Sequence, residues 1–428
     1  MAKEVSRQAA MSIQRKTIIM ALDLTKAVLG AFLLMGCGGT ALAADTASSD
    51  GLQVKPLIDA RLRYENVDQP ALDADGLTFR LRAGAEAKLG HFSLLGEAEG
   101  TAALVDDYNA FPFALPGEDQ WRPDHSVIAD PMNIELNRLQ LQYKADKTTL
   151  TFGRQRINLD DQRWVGSVGW RQNEQTFDAI RGEASIGPVS TDVTYAVKQR
   201  TIFGSDAGPR TALDGHFIFA GMSSKVGPVQ GKLFAYLLDY DEDFFLANSS
   251  QTYGLTLSTV VPIAAKTKVS LRASYARQSN YAENPFDYAA DYWSLDAGTN
   301  LAGFAIAGGW EKLGSDEGRG LQTPMATLHK FNGWADLFLT TPPGGLEDGY
   351  VSISRKFDQV KALPGLNATL AFHQFDSDVG NIEYGTEWDA SMGFKLGRVA
   401  FLAKYADYDA KDFGVDTRKF WLQAEWAF

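Results

Sequence analysis

The chain has 428 residues, 45% of them apolar and 22% charged, a balance that excludes disorder as its main state. With 41 Lys/Arg against 53 Asp/Glu and a net charge of −12, a duplex-DNA binder is excluded on charge. One cysteine, Cys37, excludes a disulfide framework and a thiolate metal cluster.

At the start, Lys3, Arg7, Arg15, Lys16 and Lys26 precede an apolar run from Ala27 to Leu34, and Ala41-Leu42-Ala43 supplies a small-x-small cleavage site. This predicts a signal peptide over 1–43 with Ala44 as the first mature residue. Translation could begin at Met1, Met11 or Met20. Leu34-Met35-Gly36-Cys37 looks loosely like a lipoprotein box, but Met35 fits it poorly. Cleavage removes Cys37, five cations and two carboxylates, leaving 36 basic and 51 acidic residues and a net charge of −15. No apolar run of roughly 18 residues follows Ala43, so no spanning helix is expected.

Residues 44–56 read as a periplasmic segment and 57–428 as one domain of strands. Ile58, Ala60, Leu62 and Tyr64 alternate with Asp59, Arg61, Arg63 and Glu65; Leu77, Phe79, Leu81 and Ala83 alternate with Thr78, Arg80 and Arg82. Alternation with period two makes one face apolar and the other polar. The pattern recurs in eighteen segments: 57–67, 77–89, 92–104, 134–145, 148–156, 177–186, 189–200, 216–226, 229–240, 251–262, 267–278, 291–301, 303–313, 350–357, 366–376, 386–396, 399–408 and 417–428. Sixteen is the alternative count, since 148–156 and 350–357 are short. Two-residue connections such as Gly90-His91, Gly187-Pro188, Gly227-Pro228 and Gly397-Arg398 alternate with long polar loops, among them 105–133, 157–176 and 314–349. Short turns at one rim and long loops at the other are the plan of an all-β transmembrane antiparallel barrel in a bacterial outer membrane. A soluble solenoid or propeller lacks its repeat. In the last segment Phe420, Trp426 and Phe428 lie on the apolar face, opposite Lys419, Gln423 and Glu425. A terminal Phe behind alternating apolar residues resembles the insertion signal of outer-membrane proteins, which implies the barrel-assembly machinery as a partner.

The expected inward faces carry Arg61, Arg63, Arg80, Arg82, Lys144, Arg181, Lys198, Arg200 and Arg272, together with Asp59, Glu65, Glu86, Glu97, Glu99, Glu183 and Asp192. Two readings stay open: cations that select anions, or ion pairs that brace the lumen. In 148–156, Leu150 and Phe152 share a face with Arg154 and Arg156. Either a bulge near Gly153 flips the register, or both arginines stand at the loop rim.

Gly153-Arg154-Gln155, Arg163-Trp164 and Phe177-Asp178-Ala179-Ile180-Arg181 resemble the alginate export family. So does the stretch from Thr323-Pro324 through His329-Lys330-Phe331-Asn332-Gly333-Trp334-Ala335-Asp336 to Gly345-Leu346-Glu347-Asp348. The resemblance spans about Leu57 to Phe428. It implies a monomeric eighteen-stranded barrel that passes an anionic saccharide, or another small anionic solute, passively through a cation-lined pore. It makes Arg154, Arg163 and Arg181 candidates for the constriction, with Arg61, Arg63, Arg80, Arg82, Lys198, Arg200 and Arg272 along the wall. The alternative for the arginines is to anchor loop 157–176 through Asp160, Asp161 or Asp178. The motif His329, Phe331, Asn332, Trp334 and Asp336 reads as an element folded over or into the pore. A general diffusion porin and a plugged structural barrel are the alternative functions.

His91, His125, His216, His329 and His373 are scattered singly, with neither H-E-x-x-H nor G-x-S-x-G spacing, so no enzyme, cofactor or metal is expected. Asp239, Asp241 and Asp243 begin like a calcium loop, but Phe244 and Ser250 occupy its glycine and glutamate positions. Outer-membrane lipid and lipopolysaccharide are the remaining expected partners.

Overall fold

The computed structural model describes residues 51–265 and 267–427; the expected signal peptide, Cys37 and the terminal Phe428 lie outside them. β1 (Gln53–Asp68) pairs with both β2 (Asp73–Leu89) and β20 (Thr417–Ala427), so the sheet closes on itself. Between them run β3 (Phe92–Asp107), β4 (Asn133–Ala145), β5 (Thr148–Gln155), β6 (Thr176–Ile186), β7 (Val189–Arg200), β8 (Ala212–Val226), β9 (Val229–Tyr240) and β10 (Ser250–Ala264). β11 (Thr267–Asn280), β12 (Ala289–Leu301), β13 (Phe304–Leu313), β16 (Leu346–Lys356), β17 (Asn367–Asp376), β18 (Glu383–Leu396) and β19 (Val399–Ala410) complete the wall. A two-residue hairpin, β14 (Ser315–Asp316) and β15 (Arg319–Gly320), stands apart in a loop. The wall is one eighteen-stranded sheet, as the alternation predicts, with the first strand starting at Gln53 rather than Leu57. Closure satisfies every strand edge, the condition for crossing lipid without a helix.

Alternation turns the usual burial pattern inside out. Leu94, Leu141, Phe152, Ile180, Leu271, Trp293 and Trp388 are exposed on the outer face, while Arg63, Arg80, Glu99, Thr194 and Glu387 are buried inside. Phe420 and Trp426 share the parity of exposed Leu422, hence the outer face.

Two local departures correct the expected faces. β5 keeps an unbroken register with both neighbours, so no bulge lies at Gly153. That glycine has φ +108°, and a Cβ there would stand 2.4 Å from the Leu139 carbonyl of β4; close approach of the neighbouring strand demands it. Arg154 therefore stays on the outer face with Leu150 and Phe152, opposite Leu139 and Asp178. The bulge lies instead at Val197, which both neighbours of β7 skip. It carries Lys198 to the outer face, where it pairs with Asp214 and stands opposite Asp178.

Candidate channel and its inner loops

Two of the long connections, 157–175 and 321–345, turn into the barrel and pack a core there. Ile157, Val165, Leu321 and Met325 are buried in one cluster with Phe217, Phe219, Phe234 and Trp421 of the wall. The loops also bond to each other. Gly166 N–H donates to the Met325 carbonyl at 2.9 Å and Thr327 N–H to that of Gln162 at 3.1 Å; the Gln175 amide donates to Met325 O at 3.0 Å. Backbone groups buried away from water need such partners, so the two loops act as one plug-like body.

Charged groups tie this body to the wall. Arg163, 1% exposed, donates to Glu311 at 2.8 Å and to Asn332 at 3.2 Å. Asn332 in turn donates to Glu311 at 2.8 Å and Asp348 at 3.2 Å, and the Arg163 guanidinium lies 4.8 Å from the Phe331 ring. Arg171 bridges Glu65 of β1 at 3.0 Å and Asp336 at 2.9 Å, and Lys419 of β20 donates to Asp336 at 3.1 Å. Arg61 donates to the carbonyls of Gly169, Trp170 and Arg171, and Arg63 lies 4.0 Å from the Trp170 ring. Arg61 and Arg63 thus hold a loop rather than line open space.

The motif 329–336 is the keystone of this arrangement. His329 stacks on Trp170 with centroids 4.4 Å apart. Its Nδ1–H donates to Asp336 at 2.7 Å and its Nε2 accepts from Lys404 of β19 at 2.7 Å, which is the hydrogen bonding of a neutral imidazole. Lys404 Nζ also faces Trp334 at 3.7 Å. Glu387 Oε1 accepts the N–H groups of both Trp334 and Ala335, the latter at 2.8 Å. Gly333, at φ +81°, makes room: a Cβ there would come within 2.4 Å of Glu387 Oε2. A Gly333→Ala variant is expected to loosen the inner loop by roughly 1–3 kcal/mol, seen as faster proteolysis within 321–345 while the strands stay protected.

Burial pushes the His329 pKa down to about 3 against the pull of Asp336, and Lys404 adds to the drop. Burial alone would raise Asp336, but His329, Lys419 and Arg171 hold it well below the usual carboxylate range. A released loop would bind a proton on His329 near its ordinary pKa of 6.5, which the locked loop refuses. The locked form is therefore fully favoured above pH 6.5 and loses support as pH falls from there toward 3, by at most about 1.4 kcal/mol per pH unit. Conductance recorded between pH 7 and pH 4 should rise on the acid side, and His329→Gln should flatten the profile.

Toward the short turns the interior opens into cavities. One, of about 390 Å³, is lined by Arg80, Arg82, Arg138 and Arg156 together with Asp59, Glu97, Glu174 and Glu425. A second, of about 670 Å³, is lined by Arg181, Lys232 and Arg272 with Asp160, Asp161, Glu183 and Asp192. Asn158 borders both. Each guanidinium has an acid: Arg80 with Asp59, Arg82 with Glu99, Arg138 with Glu97, Arg156 with Glu174 at 2.5 Å, Arg272 with Asp161 at 2.8 Å. Arg181 Nε donates to Asp192 at 3.0 Å. Arg61 stands directly opposite Arg80 in the β1–β2 register, a like-charge pairing that sheets disfavour; Glu425 meets both.

The three arginines expected at a constriction are not together. Arg154 is outside, donating to both carboxylate oxygens of Asp178, Arg163 is in the lock, and Arg181 lines the larger cavity. Of the expected wall cations, Arg80, Arg82 and Arg272 face cavities, Lys198 does not, and Arg200 pairs with Glu135 of β4 at 2.8 Å. Arg272 and Lys232 anchor the loop acids Asp161 and Asp160. Arg138 and Arg156 were absent from the expected set. Arg138 was legible, since it shares parity with Gln140 and Gln142; Arg156 leaves β5 at its end and turns inward through Glu174.

A family model described as alginate export matches residues 59–293, more than half of the chain. No curated protein matches. Among solved structures, OccAB4 of Acinetobacter baumannii aligns with TM-score 0.70 at 13% identity, covering 88% of this chain and 98% of its own. The outer membrane protein OpdK of Pseudomonas aeruginosa aligns at 0.67 and 14%, covering 88% and 98%. OccK2 (OpdF) of Pseudomonas aeruginosa, solved in complex with glucuronate, aligns at 0.67 and 14% over the same shares. At these identities the likeness to the solved structures speaks for the fold.

Proposed function

The chain belongs to the alginate export family and is a bacterial outer-membrane β-barrel, and on that premise we propose that it is a passive channel for acidic sugars or other small carboxylate-bearing solutes. The observation that carries this reading is the gathering of Arg80, Arg82, Arg138 and Arg156 around one lumen cavity. A guanidinium has five N–H donors. Arg138 spends Nε and Nη2 on Glu97, and Arg156 spends Nη2 on Glu174, which leaves donors for a passing carboxylate. Arginine suits that task because its planar fork matches a carboxylate in a way a lysine ammonium does not. Glucuronate bound to a barrel of the same fold supports the solute class.

In this reading residues 1–43 are a signal peptide that is removed, the C-terminal strand addresses the barrel-assembly machinery, and the protein works as a monomer among lipid and lipopolysaccharide. Catalysis is assigned to no residue. The test is the reversal potential of the purified protein in a planar bilayer under a salt gradient, followed by glucuronate addition. Anion preference with glucuronate block is the expected result. Steady conductance without preference or block would make it a general diffusion porin. No conductance at all would favour a plugged structural barrel, the reading to which the packed inner loops lend weight.

A further inference from the structure

Arg61, Arg82, Arg138, Arg156, Arg181 and Arg272 in the lumen each form an ion pair with a carboxylate. At the rim of long loops the arginines Arg122, Arg277 and Arg418 are paired as well. Among the described residues Arg210 and Arg319 at that rim have no carboxylate partner. Arg210 lies in the loop joining β7 to β8, at the end opposite the turns Gly187-Pro188 and Gly227-Pro228. Its guanidinium carbon is 4.7 Å from the ring centroids of both Phe113 and Phe244 and 5.9 Å from that of Phe245. Arg210 is half-buried and its nitrogens are not among the sealed, unpartnered polar atoms, whereas Arg319 Nε is. Arg319 lies 5.2 Å from the Phe286 ring, and its Nη2 donates to the carbonyl of Ala247 and, at 3.4 Å, to Asn248 Oδ1. The segment 244–248 therefore touches both cations, one through its phenyl rings and one through its carbonyl and amide oxygens.

We propose that Arg210 and Arg319 form an anion-capture site on the long-loop face of the barrel, taking the carboxylate of an acidic sugar before it enters the lumen. Aromatic faces hold both guanidinium planes; Arg210 keeps its N–H edge free for a carboxylate, while Arg319, with its Nη2 spent on Ala247 and Asn248 and its Nε sealed, adds its charge. Two uncompensated cations at a channel mouth also raise the local concentration of anions there. The ligand class rests on the proposed function; the site itself does not involve the lumen arginines.

The test is calorimetric titration of glucuronate into the full purified protein, its R210M/R319M, R210K/R319K and R138Q/R156Q variants, with thermal unfolding as the control for folding. Met keeps the packing bulk against the phenylalanines without the charge, and Lys keeps the charge. The expected result is binding weakened about tenfold or more in the Met pair, the scale of one lost charge-assisted hydrogen bond, and weakened less in the Lys pair, which keeps the charge but not the planar fork. A second, separable loss is expected in R138Q/R156Q. Equal binding by the Met pair and the wild type overturns the proposal. Loss in R138Q/R156Q alone overturns it too while leaving the lumen reading intact, and loss in the Met pair alone supports it while counting against the lumen reading.

Discussion

Replacing Asp336 with alanine is expected to open the channel while leaving the barrel folded. Asp336 is the common acceptor for Arg171, Lys419 and His329. Its removal leaves two buried cations without that counter-ion, a change that costs about 3–5 kcal/mol when one member of a buried pair is deleted. The wall does not depend on it, because each long strand is bonded along its length to two neighbours. The strain falls on the loop body around 329–336, whose remaining ties include Arg163–Glu311 and the Glu387 contacts, while Arg171–Glu65 and the Arg61 bonds still hold 169–171. Conductance of the Asp336→Ala protein should rise well above wild type and loop 321–345 should become open to protease. Unchanged conductance with a protected loop would show that the motif seals nothing.

The double variant R138Q/R156Q should move the channel toward cation preference. The smaller cavity holds four guanidiniums against four carboxylates; the change leaves two against four. Fixed charge on a low-dielectric wall acts directly on the permeating ion. In a tenfold salt gradient, where complete selectivity for a monovalent ion is about 59 mV, a shift on the order of 20 mV toward the cation potential is expected. A reversal potential equal to that of wild type would mean that ions travel elsewhere, through the larger cavity around Arg181 and Arg272. Neutralising Arg154 serves as the control: facing outward beside Phe152, it should leave selectivity untouched.

The site was less legible than the wall, and particular residues say why. Trp421 carries the parity of Lys419 and Gln423, an aromatic ring on an otherwise polar inner face, and this was a readable sign that something apolar packs inside the barrel. Lys404 and Glu387 gave no comparable sign, since cations and acids belong on inner faces anyway. Their roles come from a loop more than 50 residues away. Lys198 was misplaced because a bulge at Val197 costs one residue of register, and no glycine or proline marks it. Gly153 misled in the opposite way. A glycine beside an arginine suggested a bulge, whereas the strand stays regular and the missing side chain only admits the neighbouring carbonyl.

The sequence by itself determined the barrel. Period-two alternation, repeated with short turns on one side and long loops on the other, admits one closed arrangement in lipid, because each face has a single acceptable solvent and every strand edge must be bonded. Which arginines face the lumen cavities was decided only by the tertiary structure. The two inner loops choose their positions through side-chain packing and ion pairing between residues distant in the chain, such as Arg171 with Glu65 and Arg163 with Glu311. Those contacts have no period, and they convert Arg61, Arg63 and Arg163 from candidate lining into the supports that leave Arg138 and Arg156 facing open space.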